Sequence, residues 1–309
     1  MTPINQKELI GYNNLFSNLI YNYEKNNLPN KILFSGRHGI GKSTLSYHLT
    51  NYLLSKNEKF SYNLEKNLIN ENNNSFKLLL SNTHPNFFNI SLNPDKKNIE
   101  LSQVKNMINF TNKSSFDNKS KIIMIDNVES LNSSSSNALL KNLEEPNANV
   151  LFLLIYNNYF MLSNTIKSRC VEFKLNLNIN YCKQIVSNLL GENVINNFST
   201  DFLNLNMSPS FYISLYNFCK INEIDYSNIS IEQLLKFIIS KRIYIKDPYV
   251  KNNIKLFIEI FFKKKYITNK SNFVFEKYNY FNSKYSSVIN FNLDFDTYIL
   301  EFNSLMLNE

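Results

Sequence analysis

Mostly apolar runs alternate with stretches of helical periodicity along roughly the first 170 residues of the chain. Such runs are typical of parallel strands that are buried on both faces of a sheet. Strands are predicted at residues 31–34, 86–92, 122–126 and 150–156, and helices at residues 9–23, 44–54 and 101–110. A polar segment at residues 56–82 is predicted to be an insert that includes one helix. The alternation predicts an α/β domain built on a parallel sheet.

The pattern changes after Phe173, where no further strand is predicted. Short helices are predicted at residues 181–190, 194–205 and 209–222, and longer amphipathic helices at residues 231–243, 250–266, 271–280 and 295–306. The chain is long enough for two or three domains. We therefore predict an α/β domain at residues 1–173, a small helical domain at 174–227 and a larger helical domain at 228–309. The fold class is α/β plus all-α.

A glycine-rich loop lies between the first predicted strand and the helix that follows it. Residues 36–43 read GRHGIGKS and match the pattern GxxxxGK[ST] in its expected strand–loop–helix context. In such a loop, backbone N–H groups point at phosphate oxygens, and Lys42 would reach the β- and γ-phosphates while the Ser43 hydroxyl binds Mg²⁺. The candidate nucleotide-binding residues here are Gly36, Gly39, Gly41, Lys42, Ser43 and Thr44.

An acidic residue ends the predicted strand at residues 122–126. Open α/β sheets bind ligands at the carboxyl ends of their strands, which is where Asp126 would lie. Asp126 and Ser43 are therefore candidate ligands of a magnesium ion that accompanies the nucleotide.

The net charge of +8 and the pI near 9.1 favour acidic partners such as DNA, although a biased nucleotide composition of the coding genome explains a lysine- and asparagine-rich surface equally well. The three cysteines, Cys170, Cys182 and Cys219, lie far apart and predict reduced intracellular thiols. No apolar run reaches the roughly 18 residues of a membrane span, and the first residues lack a signal peptide. We expect a cytoplasmic protein without a membrane partner.

The order of motifs resembles the bacterial clamp-loader ATPases of the AAA+ class, and most closely their delta prime family. The resemblance is carried by the glycine-rich loop, Asp126, the segment NALLKNLEEP at residues 137–146, and SRC at residues 168–170. Residues 83–86, THPN, resemble the histidine–proline motif of this family. The segment NFNLD at residues 290–294 resembles its asparagine–leucine turn before the last helix. The likeness covers most of residues 1–220.

The resemblance implies a RecA-like AAA+ nucleotide domain, a helical lid and a helical collar that holds a hetero-pentameric ring together. It implies gamma/tau and delta subunits as partners, together with the sliding clamp and primer-template DNA, and ATP with Mg²⁺ as cofactor. It also implies that Arg169 projects into the nucleotide site of a neighbouring subunit as an arginine finger. The alternatives for Arg169 are a solvated surface arginine or a local salt bridge with Glu172. Asn157 resembles the family's γ-phosphate sensor, and the alternative is an ordinary turn residue.

Three departures from the family pattern concern hydrolysis and metal binding. Asn127 stands where an active site has a glutamate that orients the attacking water, and Glu129 is displaced by two positions. No arginine occurs at residues 207–211, where the lid would supply one. The zinc module of the family consists of four cysteines between the loop and the strand-end aspartate. This chain has no cysteine between the loop and Asp126, so no zinc site is predicted. We therefore expect weak or absent hydrolysis by this chain. The alternatives are a hydrolysing gamma/tau-like subunit and an unrelated P-loop phosphotransferase.

Overall fold

The computed structural model describes residues 2–93, 96–113, 120–145, 149–192, 194–203 and 205–307. The chain forms two compact units. The first comprises residues 1–185 together with Ser208–Ser210, and the second comprises residues 186–207 and 211–309. The grouping into two units does not test the predicted boundary between a lid and a collar. The division into three domains therefore stays a prediction.

The first unit is built on a five-stranded parallel sheet. Its strands are β1 (Lys31–Ser35), β2 (Phe87–Ile90), β3 (Lys121–Asp126), β4 (Val150–Tyr156) and β5 (Val171–Lys174). They lie in the order β2-β3-β4-β1-β5, and every neighbouring pair is parallel. The register pairs Ser35 with Tyr156 and Asp126 with Ile155. The ends of β1 and β3 therefore flank the end of β4, which brings the glycine-rich loop and Asp126 to one edge of the sheet.

The helices of the first unit are α1 (Asn13–Glu24), α2 (Lys42–Ser55), α3 (Asn74–Leu80), α4 (Leu101–Asn112), α5 (Ser133–Glu144) and α6 (Asn164–Lys167). Side-chain caps explain where several of them begin. The carboxamide oxygens of Asn73 and Asn132 accept hydrogen bonds from the first turns of α3 and α5, and Glu100 forms a capping box with Gln103 at α4. Helices α4 and α5 bury their apolar faces in a core with β3 and β4.

Two further helices, α7 (Ile179–Leu190) and α9 (Pro209–Ile221), contain residues of both units. The other helices belong to the second unit: α8 (Thr200–Leu203), α10 (Ile231–Ser240), α11 (Ile243–Lys246), α12 (Pro248–Thr268), α13 (Asn272–Asn290) and α14 (Phe295–Phe302). Asp201 accepts hydrogen bonds from the Ile231 N–H at 2.8 Å and from the Lys264 ammonium at 2.7 Å. Fully buried aromatic rings fill much of the core of the second unit, among them Phe261, Phe262, Phe281, Tyr298 and Phe302.

The predicted fold class is confirmed, but some predicted elements were wrong. Strand β5 was not predicted; it is short, and most of its side chains are exposed. Helix α1 begins at Asn13 rather than at residue 9, since the backbone at Gly11 is left-handed, with φ of +87°. The single helix predicted at residues 194–205 is two short turns instead, a 3-10 turn at Ile195–Asn197 and helix α8. Helix α13 extends ten residues beyond its predicted end at residue 280, and buries Phe281 and Val288 there.

Asparagine occupies most of the left-handed backbone positions that are not glycine. Nine non-glycine residues with positive φ are found in the described part of the chain, and seven of them are asparagines: Asn26, Asn67, Asn82, Asn127, Asn149, Asn158 and Asn292. Asparagine tolerates this backbone better than other side chains do. Within the same described ranges, no helix is both long and apolar enough to cross a bilayer.

Candidate functional site

The glycine-rich loop curls between the end of β1 and the start of α2, and its three glycines all have positive φ. A Cβ atom at Gly39 would lie 1.9 Å from the Ser210 hydroxyl oxygen, and one at Gly36 would lie 2.6 Å from the Leu175 carbonyl oxygen. Glycine is therefore required at both positions on steric grounds as well as by the backbone. Thr44 lies half-buried in the first turn of α2.

Lys42 is almost fully buried, and its ammonium folds back onto the loop. Its Nζ donates to the carbonyl oxygen of Gly36 at 2.9 Å and to that of Arg37 at 2.5 Å. Burial lowers the pKa of Lys42 to about 8, and the negative charges of Asp126 and Glu129 oppose the shift. The ammonium is thus held among loop carbonyls and close to two carboxylates.

Ser43 and Asp126, the two predicted magnesium ligands, are in direct contact. The Ser43 hydroxyl donates to Asp126 Oδ2 at 2.8 Å. Asp126 Oδ1 accepts from the Asn127 N–H at 2.9 Å, which fixes the carboxylate orientation. A hydroxyl and a carboxylate are the hard oxygen ligands that Mg²⁺ prefers, so this pair beside the glycine-rich loop fits a magnesium ion.

Asn127 and Asn157 are joined side chain to side chain. Asn157, directly after β4, donates from Nδ2 to Asn127 Oδ1 at 2.6 Å. Asn127 itself has a left-handed backbone, with φ of 58°. The neutral amide at position 127 is therefore bonded to the candidate sensor residue. It is a poor proton acceptor for general-base chemistry.

Glu129 also lies at this site, although it was not among the candidate site residues predicted from the sequence. Only 9% of its surface is exposed, and its Oε1 accepts a hydrogen bond from the Asn157 N–H at 3.0 Å. Its other oxygen, Oε2, is buried and has no hydrogen-bond partner among the described residues. Burial raises the pKa of Glu129, while backbone N–H groups and the Lys42 charge oppose the increase. An acid one turn after a strand-end aspartate is the sequence signal that could have indicated it.

His38, at the tip of the loop, packs against Tyr159, with ring centroids 5.4 Å apart. Burial lowers the pKa of His38, and the Lys42 charge lowers it further, against the opposing effect of Asp126. His38 is therefore predominantly neutral at neutral pH. No local pattern pairs His38 with a residue more than a hundred positions away.

Arg169 follows α6 and is held at two points. Its Nη1 donates to the Thr165 carbonyl oxygen at 2.8 Å, and its Nη2 donates to Glu144 Oε1 at 2.5 Å. Glu144 is the last residue of α5 and belongs to the LEEP segment, whose Pro146 lies outside the described residues. The acid that pairs with Arg169 is therefore Glu144, and not Glu172, the partner considered from the sequence.

The cysteines and acidic residues show no metal-binding cluster. In the described ranges, no group of three or more His, Cys, Asp or Glu side chains lies close enough together to hold a metal ion. Burial raises the pKa of the Cys170 thiol to about 11, and the thiols of Cys182 and Cys219 have pKa values raised to about 12 by the same cause. All three are free cysteines and predominantly protonated at neutral pH.

The family model described as "DNA polymerase III, delta subunit" matches residues 11–178, which is more than half of the chain. The chain belongs to the delta prime clamp-loader family of DNA polymerase III. The match ends close to the end of β5 and so covers the whole sheet, the loop and Arg169. Family membership confirms the resemblance stated from the motifs and sets aside the unrelated phosphotransferase.

Curated relatives agree with this family. DNA polymerase III subunit delta' of Buchnera aphidicola (subspecies Schizaphis graminum) is 29% identical over 203 residues, which is 66% of this chain and 59% of that protein. DNA polymerase III subunit delta' of Pseudomonas aeruginosa is 35% identical over 96 residues, 31% of this chain and 29% of that protein. The chain thus spans between about a third and about three fifths of the length of these two relatives. A gamma subunit from the same Buchnera is 29% identical over 57% of this chain and 46% of its own length.

One solved structure supports the fold. The crystal structure of a DNA polymerase III gamma subunit-related protein from Thermotoga maritima superposes with a TM-score of 0.52 and 17% identity, covering 90% of this chain and 93% of that one. The parallel sheet with its glycine-rich loop is the AAA+ fold that the motifs predicted, a nucleotide-binding fold.

Proposed function

We propose that this chain is a delta prime-like subunit of the clamp loader, which binds ATP and supplies Arg169 to the nucleotide site of a neighbouring subunit. The observation that carries the proposal is the arrangement of Arg169 in a chain of this family. Its guanidinium donates to the Glu144 carboxylate at the end of α5 and to the Thr165 carbonyl oxygen in α6. An arginine supplied in trans stabilises the charge on a transferring phosphoryl group.

The choice of arginine at position 169 supports this role. Of the 33 lysine and arginine residues in the chain, three are arginines: Arg37, Arg169 and Arg242. Where a positive charge alone is needed, this chain uses lysine almost throughout. A trans finger needs the planar fork of a guanidinium, which grips phosphate oxygens in a way that a compact ammonium does not reproduce.

Nucleotide binding by this chain would use the glycine-rich loop, with ATP phosphates cradled by its backbone N–H groups and by the Lys42 ammonium. Ser43 and Asp126 would hold the accompanying magnesium ion, which neutralises charge on the phosphates when it is bound. Hydrolysis by this chain is proposed to be weak or absent. Asn127 offers no carboxylate and is bonded to Asn157, and no arginine stands at residues 207–211. These features weigh against a hydrolysing gamma/tau-like motor.

The partners proposed for the chain are gamma/tau and delta subunits in a hetero-pentamer, together with the sliding clamp and primer-template DNA. Relatives named as delta prime and gamma subunits of DNA polymerase III support the loader partners. The net charge of +8 suits association with a nucleic acid. As a component of chromosome replication, the chain would act in the cytoplasm.

Native mass spectrometry tests this assignment. Mixing the full chain with gamma- and delta-type subunits and Mg-ATP is expected to give a hetero-oligomer that contains one copy of this chain. Each partner is also mixed with an unrelated P-loop protein of similar size as a control for non-specific association. A chain that remains monomeric beside partners that assemble with one another would contradict membership of the loader.

Replacing Lys42 with Met is expected to remove nucleotide binding without weakening the nucleotide-free fold. Burial lowers the pKa of Lys42 from 10.5 to about 8, so the folded state binds this proton less tightly than the unfolded chain does. The charged Lys42 therefore reduces stability below pH 8, and this cost disappears as the pH rises from about 8 through 10.5. At pH 7 the Met variant should unfold at the same temperature as the parent or at a higher one.

Thermal unfolding with and without Mg-ATP checks both halves of this expectation. ATP at about 100 times its Kd stabilises a binding protein by about 2.7 kcal/mol, and the Met variant should lose this increment. Lys77→Met on the exposed face of α3 is the matched control and should keep it. An ATP-induced shift that survives in Lys42→Met would show that the loop does not bind the triphosphate through this lysine.

A further inference from the structure

The guanidinium of Arg169 is fixed by acceptors from two different elements. The Thr165 carbonyl, one turn earlier in the chain, accepts from Nη1 at 2.8 Å, and the Glu144 carboxylate at the end of α5 accepts from Nη2 at 2.5 Å. A guanidinium is planar and carries five N–H donors. Two acceptors on different nitrogens determine the orientation of that plane and leave the remaining N–H donors for a ligand.

Glu144 stands on a rigid support. The residue before it, Leu143, is fully buried in the core of the first unit. The carbonyl of Leu143 accepts from the Lys31 ammonium at 2.7 Å, which ties the last turn of α5 to the first residue of β1. The backbone that carries the Glu144 carboxylate is thus held by both packing and a hydrogen bond to the sheet.

Charge alone gives no reason for a carboxylate at this position. A carboxylate beside an arginine repels an approaching triphosphate, because both are negatively charged. It therefore weakens the attraction between the arginine and the triphosphate. A hydrogen bond that orders the long side chain has the opposite effect, since fewer rotamers are lost when the ligand arrives. The geometry therefore favours an orienting role for the Glu144 oxygen over a role for its charge.

We propose that Glu144 is a positioning residue for Arg169, which holds the guanidinium ready to meet phosphate oxygens across the subunit interface. The inference rests on the proposed trans role of Arg169 and extends it to a second residue of the LEEP segment. A glutamine at position 144 keeps an oxygen acceptor of the same length and loses the charge. It should therefore preserve the orientation of Arg169, whereas alanine should abolish it.

Arginine side-chain NMR tests the positioning directly on the full isolated chain. The chain holds only Arg37, Arg169 and Arg242, so ¹⁵N-arginine labelling gives three Nε–H signals, and the Arg169 signal is the one that Arg169→Lys removes. Glu144→Ala is expected to lower the order parameter of the Arg169 signal and to leave the other two unchanged. Glu144→Gln and the control Glu172→Ala should retain the order. Unchanged order in Glu144→Ala would overturn the inference.

Hydrolysis by the assembled loader tests the consequence for function. Ordering of one long side chain corresponds to about a three- to tenfold change in rate. In a loader in which only the site next to Arg169 can hydrolyse ATP, Glu144→Ala should lower turnover by that factor, while Glu144→Gln stays close to the parent. If Arg169→Ala lowers turnover but Glu144→Ala does not, or raises it, the positioning role of Glu144 is overturned and the trans role stands. If Arg169→Ala leaves turnover unchanged, the trans role fails, and the positioning role fails with it.

Discussion

Replacing Arg169 with Ala is expected to slow ATP hydrolysis at one neighbouring site of the assembled loader by about 10³–10⁵-fold, the range typical of arginine fingers. The loss would be that of a positive charge at the transferring phosphoryl group, where no solvent can replace it. The fold should be almost unaffected. The ion pair with Glu144 is partly exposed, and pairs of this kind contribute about 0–1 kcal/mol.

The measurement requires a loader in which only the site next to Arg169 can hydrolyse ATP, because several active sites would hide the loss of one. Single-turnover hydrolysis then compares the parent, Arg169→Ala and Arg169→Lys. The lysine variant should recover little of the rate, since an ammonium lacks the planar fork. Turnover of the isolated chain should be unchanged by either substitution. A variant that assembles and hydrolyses at the parental rate would make Arg169 an ordinary surface residue.

Replacing Phe281 with Ala is expected to destabilise the second unit by about 3–5 kcal/mol, the usual cost of removing a fully buried phenylalanine. Phe281 lies in α13 with no exposed surface, and its ring contacts those of Phe262, Tyr298 and Phe302 at centroid distances of 6.0, 6.0 and 5.3 Å. These large rings are themselves wedged in the core and cannot collapse into the space that alanine would leave.

Guanidinium unfolding followed by tyrosine fluorescence would measure this change, since the chain has 19 tyrosines and no tryptophan. Phe291, directly after α13, is 73% exposed, and Phe291→Ala is the matched control, with an expected change within about 0.5 kcal/mol. Equal destabilisation by the two substitutions would mean that the aromatic cluster contributes far less to the second unit than its burial indicates.

The parts of the fold that could be predicted from the sequence are those whose burial requires a recognisable run of apolar residues. Strands β3 and β4 are buried on both faces, so nearly every residue in them is apolar. Strand β5 lies at the edge of the sheet, and its residues Val171 and Glu172 are exposed, so it has no such pattern. The lid–collar boundary was placed at residues 227 and 228 from helix lengths. Yet Asp201 bonds with residues on the far side of that boundary, a contact that helix periodicity does not encode.

Some residues of the candidate site could likewise be predicted from local motifs, whereas others are placed by tertiary packing. The loop motif placed Lys42 and Ser43, and the strand-end rule placed Asp126 close to them. The position of Glu129 against Asn157 depends on how the turn after β3 meets the end of β4. The choice of Glu144 over Glu172 depends likewise on the packing of α5. Nothing in the local sequence fixes either contact.

Because asparagine serves in most ordinary left-handed turns, the few glycines of this chain indicate where a side chain would not be tolerated. Asparagine occupies seven of the left-handed positions in the described ranges, so a glycine is not needed merely to reverse the chain. Gly36 and Gly39 are needed because a side chain would collide with Leu175 or Ser210. Gly191, in contrast, has no atom within 4 Å of the position that a Cβ would take. A side chain at Gly191 would therefore meet only the strain of its backbone, with φ of +107°, whereas a side chain at Gly36 or Gly39 would meet both backbone strain and a collision, so the two loop glycines must be left intact.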